Sequence, residues 1–350
     1  MRTLLALFFL SLFTSSSLIQ ASEDDPLCVY EPIIEEQNCQ EYPRFTLLYL
    51  KPSIDDSHYV LSSFDNTFNG SLYPKGKRHQ NTTSFTPGFS VEGQSVLCPN
   101  TSALALSYTY FQAHSSASTS GDFLYDTNGF PGFGSQDSPV YRGTARSKNS
   151  YLFHAADVAY HRCFARLFPE QFTFVLGLDF AFIQFKEHTT STGTFTSDSA
   201  QRALRNNLKR TSQFFGVGPE IGLRYEHLLP NLCSLPGEWS VNGKAKGSLL
   251  CGYTKSDLRY ITLRTGPGGV SVLNGDVWRV IPSASADLGI AYHFQCAPFN
   301  STLEIGYEWM VYSQCISKVT GLDTAFAGDT IDLFNNFSLQ GPFLRLMIEF

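Results

Sequence analysis

The feature that most constrains this chain is an alternation of period two, carried through long runs. One face is bulky and apolar; the other holds small residues and isolated charges. Residues 171–183 place Phe172, Phe174, Leu176, Leu178, Phe180 and Phe182 on one side. Thr173, Val175, Gly177, Asp179 and Ala181 fall on the other, because successive side chains of a strand point to opposite faces. The pattern recurs over 214–225, where Phe215, Val217, Pro219, Ile221, Leu223 and Tyr225 oppose Gly216, Gly218, Glu220, Gly222 and Arg224. It returns over 103–112, 278–293 and 302–311. A soluble sandwich also alternates, but its polar face meets bulk water and favours Lys, Glu and Thr. Here that face is Gly, Ala and Ser with scattered charges, which suits a confined lumen, while the bulky face suits lipid. Runs of about ten residues with Tyr or Trp toward their ends are the pattern of a transmembrane β-barrel.

Composition agrees. Hydrophobic residues make up 43% of the 350, aromatics 14% and charged residues 16%, against roughly 25% charged in an average soluble domain. So many aromatics exclude disorder for the bulk of the chain. The net charge of −6 is spread along the length, without the concentrated basic face that a nucleic-acid partner requires. Arg2, the apolar stretch Leu4–Phe13 and the small or polar residues Ser15–Ala21 read as a secretory signal peptide cleaved after Ala21. The apolar run is shorter than the roughly 20 residues of a spanning helix, and nothing after Ala21 is apolar enough to span as one.

These readings predict an all-β fold: a transmembrane antiparallel β-barrel of about 10–12 strands in the bacterial outer membrane, with short periplasmic turns and long extracellular loops. The domains are a signal peptide (1–21), a periplasmic cysteine-containing arm (22–43) and the barrel (44–350). Strand segments fall near 44–63, 85–96, 102–113, 150–163, 171–187, 210–226, 238–253, 278–294, 301–315 and 337–350. Ten strands put both chain ends in the periplasm; a hairpin within 44–63 or an addition over 257–273 makes twelve. The closing run puts Leu344, Leu346, Ile348 and the terminal Phe350 on one face. An aromatic ending an alternating strand resembles the assembly signal of bacterial outer-membrane barrels, so Phe350, Ile348 and Leu346 are the expected signal.

All eight cysteines lie after the signal peptide. An even count in an exported chain suggests disulfides; the absence of Cys-x-x-Cys pairs and histidine clusters speaks against zinc. By topology Cys28, Cys39, Cys98, Cys163, Cys233 and Cys296 gather at the periplasmic end, as a disulfide layer within the subunit or to neighbouring envelope proteins. Cys251 and Cys315 share parity with lipid-facing residues near the outer rim. Parity places Asp157, Asp179, Glu220, Arg224, Lys244, Lys246, Arg279, Asp287, Glu304, Glu308 and Arg345 in the lumen. There they form either a transverse field that passes small solutes or a salt-bridge network that plugs a narrow barrel. An enzyme site needs His or Ser beside carboxylates. His154 and His161 face opposite sides of one strand, and no G-x-S-x-G or H-E-x-x-H occurs. No cofactor or metal is expected.

Several stretches resemble the major outer membrane proteins of legionellae and of chlamydia-like bacteria. They are Phe45–Pro52, the Thr86-Pro87-Gly88-Phe89 turn leading into Leu104–Phe111, Val158–Phe164 and, most specifically, Phe215–Leu223. The resemblance runs in order from about Phe45 to Phe350. It implies an outer-membrane porin for passive diffusion of small hydrophilic solutes and ions, homo-oligomeric and disulfide-linked in the envelope. The alternative is a structural envelope protein or adhesin without an open pore, in which the long loops and the cysteine layer are the working parts.

Overall fold

The computed structural model describes residues 42–55, 57–63, 76–98, 102–126, 141–167, 170–195, 203–229, 237–264, 269–296, 299–321 and 330–349. Their strands are β1 (Tyr42–Ile54), β2 (His58–Ser63), β3 (Gly76–Gln80), β4 (Thr86–Cys98), β5 (Ser102–Asp126) and β6 (Tyr141–Leu167). After these come β7 (Glu170–Phe195), β8 (Ala203–Leu229), β9 (Glu238–Arg264), β10 (Gly269–Cys296), β11 (Phe299–Gly321) and β12 (Thr330–Glu349). Ten strands close into an antiparallel ring: β1 pairs β4, β4 pairs β5, each later strand pairs the next, and β12 returns to β1. Closure satisfies every ladder within the wall, the condition for spanning lipid with strands.

The run 44–63 changes partner midway. β1 pairs β12 as far as Ile54; β2 then joins the top of β5, Val60 opposite Asp126, and carries β3 as an outer hairpin. The wall strands also outrun their hydrophobic alternation. β5 has 25 residues and β10 has 28, whereas crossing the bilayer takes about 9–11. Much of 114–149, 188–209, 254–277 and 316–336, expected as loop, is therefore strand. Above the lipid the outward positions turn polar (Thr190, Thr192, Asn207), which erases the greasy face while the backbone ladder continues unbroken.

The outward face between those limits is apolar: Trp278 is 72% exposed, and Leu288 and Ile305 are each 63%. On β7 it runs from Phe172 to Phe182, roughly 33 Å of strand, which at a tilt of ~40° gives a band ~25 Å tall. Tilted aromatic pairs edge the band. Phe172–Tyr225 (5.0 Å between centroids) and Trp239–Tyr292 (4.9 Å) lie at the periplasmic end. Phe89–Tyr110 (5.5 Å) and Tyr253–Trp278 (5.7 Å) lie at the outer end. Leu346 is on this lipid side of β12, with Ile348 two residues on, opposite Ser301; Phe350 lies outside the described residues.

Cys28, Cys39 and Cys233 also lie outside the described residues. Cys98 and Cys296 end β4 and β10, and Cys163 sits at a register shift of β6, all at the end with the short turns. Cys251 is exposed on the outer face of β9. Cys315 departs from its parity: it is fully buried inside the barrel. Gln314 adopts a positive φ of 54° and the β11–β12 register slips between Tyr312 and Ile316, so the bulge turns the following side chain inward.

Candidate functional site

The lumen is built in layers. In its periplasmic half, alternation on every wall strand delivers charged side chains to one level. Several ladder neighbours there carry like charges: Asp157 lies opposite Asp179, Asp287 opposite Glu308, and Arg224 opposite Lys244. Directly opposed like charges are unfavourable, and opposite charges compensate them, some from the neighbouring strand of the ladder and some from across the lumen. Lys246 Nζ bridges Asp157 and Glu220 at 3.0 Å each. Arg345 reaches Glu304 at 3.0 Å and Asp287 at 3.4 Å. Arg44 meets Glu92 at 3.4 Å, and Lys244 approaches the same carboxylate at 3.9 Å from across the barrel. Arg224 Nη1 donates to Tyr42 Oη at 3.2 Å, Ser248 Oγ to Asp179 at 2.8 Å, and Ser107 Oγ to Asp157.

Glu308 completes the layer, on the wall of a cavity of about 80 Å³ lined also by Asp157, Glu220, Lys246, Asp287 and Arg345. That volume suits a few waters rather than a cofactor. Of the charges expected inside, Arg279 does not join them. β10 pairs β11 only up to Ser283 and Tyr312. Beyond that point Arg279 fills the gap left by the β11 bulge, donating to the Gln314 carbonyl at 2.8 Å and lying over the Phe334 ring. The two histidines part as their spacing requires. His154 faces outward among Tyr108, Tyr110 and Phe182. His161 faces inward, 3.3 Å from Gln94 Oε1.

Immediately above lies a layer without charge. Leu48, Phe111, Phe153, Ile183, Phe214, Leu250, Ile281, Met310, Tyr312, Phe337 and Leu339 form one buried cluster fed by nearly every wall strand. Phe153 on β6 packs against Tyr312 of β11, the rings tilted with centroids 5.5 Å apart. Those strands are separated by five steps either way round a ring of ten, so the contact spans the full width of the lumen. Phe337 of β12 adds a second ring 6.0 Å from Phe153. The inward glycines serve this packing. A Cβ at Gly216 would stand 2.4 Å from the Phe214 ring, and one at Gly252 2.5 Å from it. Both leave room for an aromatic plate instead of widening a channel.

Above the lipid the interior is mixed: buried polar residues lie beside small apolar clusters such as Leu208, Leu258 and Tyr260. Arg210 and Glu187, 1% and 6% exposed, pair at 2.8 Å; Ser212 and Ser256 hold the backbone of Ser317. Sequence reasoning missed Arg44, Glu92 and the Arg210–Glu187 pair. Arg44 shares parity with Thr46 and Leu48 against Phe45, Leu47 and Tyr49, a signal that Pro43 and Pro52 obscure. The Arg210–Glu187 pair belongs to upper strand segments whose outward faces lack the apolar signature.

Comparison with solved structures returns barrels of the outer membrane. The outer membrane protease OmpT from Escherichia coli is 9% identical over 91% of this chain and 99% of that one, with a TM-score of 0.47. The Pseudomonas putida toluene transporter TodX is 8% identical over 90% and 91%, with a TM-score of 0.29. The outer membrane channel DcaP of Acinetobacter baumannii is 8% identical over 89% and 99%, at 0.13. No curated protein sequence matches. The family model described as the Legionella pneumophila major outer membrane protein precursor matches residues 44–350, and this bacterial outer-membrane β-barrel belongs to that family.

Proposed function

We propose that the protein is a cross-braced, closed outer-membrane barrel that raises a stem of strands above the lipid, a structural and surface-presenting role without catalysis. The observation that carries this reading is the Phe153–Tyr312 ring contact, which joins opposite walls within an uncharged layer. Water and ions avoid such a constriction because no polar group replaces their hydration. The charged layer beneath it, with its cross-lumen pairs, fits a brace better than a filter. Planar-bilayer recording of the folded protein tests this. Silence is expected from the parent, with conductance appearing when Phe153, Tyr312 and Phe337 are together replaced by Ala. Discrete ohmic steps from the parent overturn it.

The second reading is passive diffusion of small hydrophilic solutes and ions, favoured by the charged cavity. It requires the apolar layer to open. Carboxylates then outnumber cations along the lumen, and the channel prefers cations. The periplasmic grouping of Cys98, Cys163 and Cys296 supports a further part of the reading, disulfide links between copies or to other envelope proteins. Reducing and non-reducing electrophoresis with identical mobilities and oligomer sizes would remove that part.

A further inference from the structure

The outer surface is asymmetric just above the lipid band. On β6–β9 one ladder row places Lys148 opposite His188, His188 opposite Lys209, and Lys209 opposite Arg259. Lys186 stands one row lower, between β6 and β8. Adjacent strands are about 4.8 Å apart, so Lys148, Lys186 and Lys209 crowd within roughly two strand spacings and the whole row spans three. Directly opposed like charges cost stability. No described carboxylate lies within ion-pair distance of Lys148, Lys186, Lys209 or Arg259, and Asp257 is the one acid described on this outward face. At comparable height β10 shows Asn274 and Asp276 instead. A groove of about 470 Å³ opens at the row, lined on its outer side by His114, Lys148, Lys186, His188, Lys209 and Thr211.

What lies beneath identifies the occupant. Four residues below Lys186 on the same face is Phe182, and six below Lys209 counted along β8 is Phe215, 57% exposed. The acyl band thus ends about one head group short of the cations. A molecule that answers both features carries phosphates at its head and hydrocarbon chains below. Phosphate oxygens take charge-assisted hydrogen bonds from Lys and Arg, and a cluster of them would relieve the repulsion along the row.

We propose that this face of β6–β9 is a binding site for a phosphorylated glycolipid of the outer leaflet, the lipopolysaccharide class, whose head-group phosphates sit in the groove across Lys148, Lys186 and Lys209. The site is independent of whether the lumen conducts. The test uses the full barrel, stripped of lipid in neutral detergent. It is titrated with bis-phosphorylated lipid A, with dephosphorylated lipid A and with inorganic phosphate, followed by native mass spectrometry and thermal unfolding. The variant is Lys148→Gln/Lys186→Gln/Lys209→Gln, and the control is Arg162→Gln at the periplasmic end.

Binding of the phosphorylated lipid is expected to weaken on the order of a hundredfold in the triple variant, each near-surface cation counting for about fivefold. It is expected to stay unchanged in the control. The order of melting temperatures should also invert: without lipid the triple variant is the more stable, with lipid the parent is. Equal binding by parent and triple variant, or equal binding of dephosphorylated lipid, overturns the proposal. Inorganic phosphate competing at the concentration of the lipid reduces the row to a simple anion site and overturns the lipid assignment. Should the triple variant not fold, Lys209→Gln and the salt dependence of the parent decide: an affinity indifferent to both overturns it.

Discussion

Two layers of the same lumen, one above the other and built by the same wall strands, solve the problem of filling a barrel in opposite ways. The upper uses rings and branched chains that need only contact: burial of apolar surface is non-directional, and each side chain contributes roughly 1.5–3 kcal/mol on its own account. The lower uses carboxylates, guanidiniums and ammoniums whose desolvation is offset only while every partner is in place. The first arrangement degrades gradually and the second does not. A brace of the second kind fixes which strands face which, because Lys244 must find Glu92 across the barrel and Arg224 must find Tyr42.

The largest effect is expected where a shared partner is removed. Lys246→Met leaves Asp157 and Glu220 without the cation that bridges them and should cost about 3–5 kcal/mol in urea unfolding from micelles. Adding Asp157→Asn and Glu220→Gln should return most of it; a loss near zero for the single change would mean that the layer is wet and the contrast unfounded. Next comes Phe153→Ala in the apolar layer, at about 3–4 kcal/mol, with Phe153→Leu well under half of that. Equal penalties for Ala and Leu would show that the ring's reach across to Tyr312 is not what holds the layer.

Gly252→Ala should cost about 1–3 kcal/mol, since its methyl would meet the Phe215 carbonyl at 2.4 Å and the Phe214 ring at 2.5 Å. The same measurement on the Phe214→Leu background should show a smaller penalty. The smallest change is outside the lipid. The hydrogen bond from the exposed Arg142 guanidinium, together with its charge, holds the Asp122 carboxyl below the ordinary carboxylate range. That interaction is present above the ordinary carboxyl pKa and is lost as pH falls through the lowered one. Arg142→Gln should therefore raise the Asp122 titration midpoint, seen by NMR, and leave the melting temperature unmoved.

The fold was legible because lipid enforces its pattern. Phe172–Phe182 and Phe215–Tyr225 cannot alternate so regularly and be anything but one-sided strands. Where water replaces lipid the outer face is free to be polar, and Thr190 or Asn207 no longer announce a strand that the ladder nevertheless continues. Site residues were legible on the same condition: parity alone finds Asp157 and Lys246. It cannot say that Lys246 bridges two acids, because that depends on which strand stands opposite. Glycine was the most ambiguous letter. Gly216 reads as lining of a lumen, yet the space of its missing side chain, like that of Gly252, is occupied by Phe214. Parity also fails inside a bulge, as at Cys315, although the strand beyond it is back in phase.

The bulge adds two residues to β11 relative to β12, a whole period of the strand, so Tyr312 before it and Ile316 after it both face inward. Only within the bulge is the alternation broken: past the positive φ of Gln314, Cys315, a thiol due for the membrane, is buried in the interior before pairing resumes in phase at Ile316. The two thiols of the upper wall therefore keep different company. A lipid-soluble maleimide meets Cys251 on the intact barrel, whereas Cys315 is buried in the apolar cluster that also holds Phe153, Tyr312 and Phe337. The rate at which Cys315 reacts is then a clock for the parting of those rings, the one event that any passage through the lumen would require.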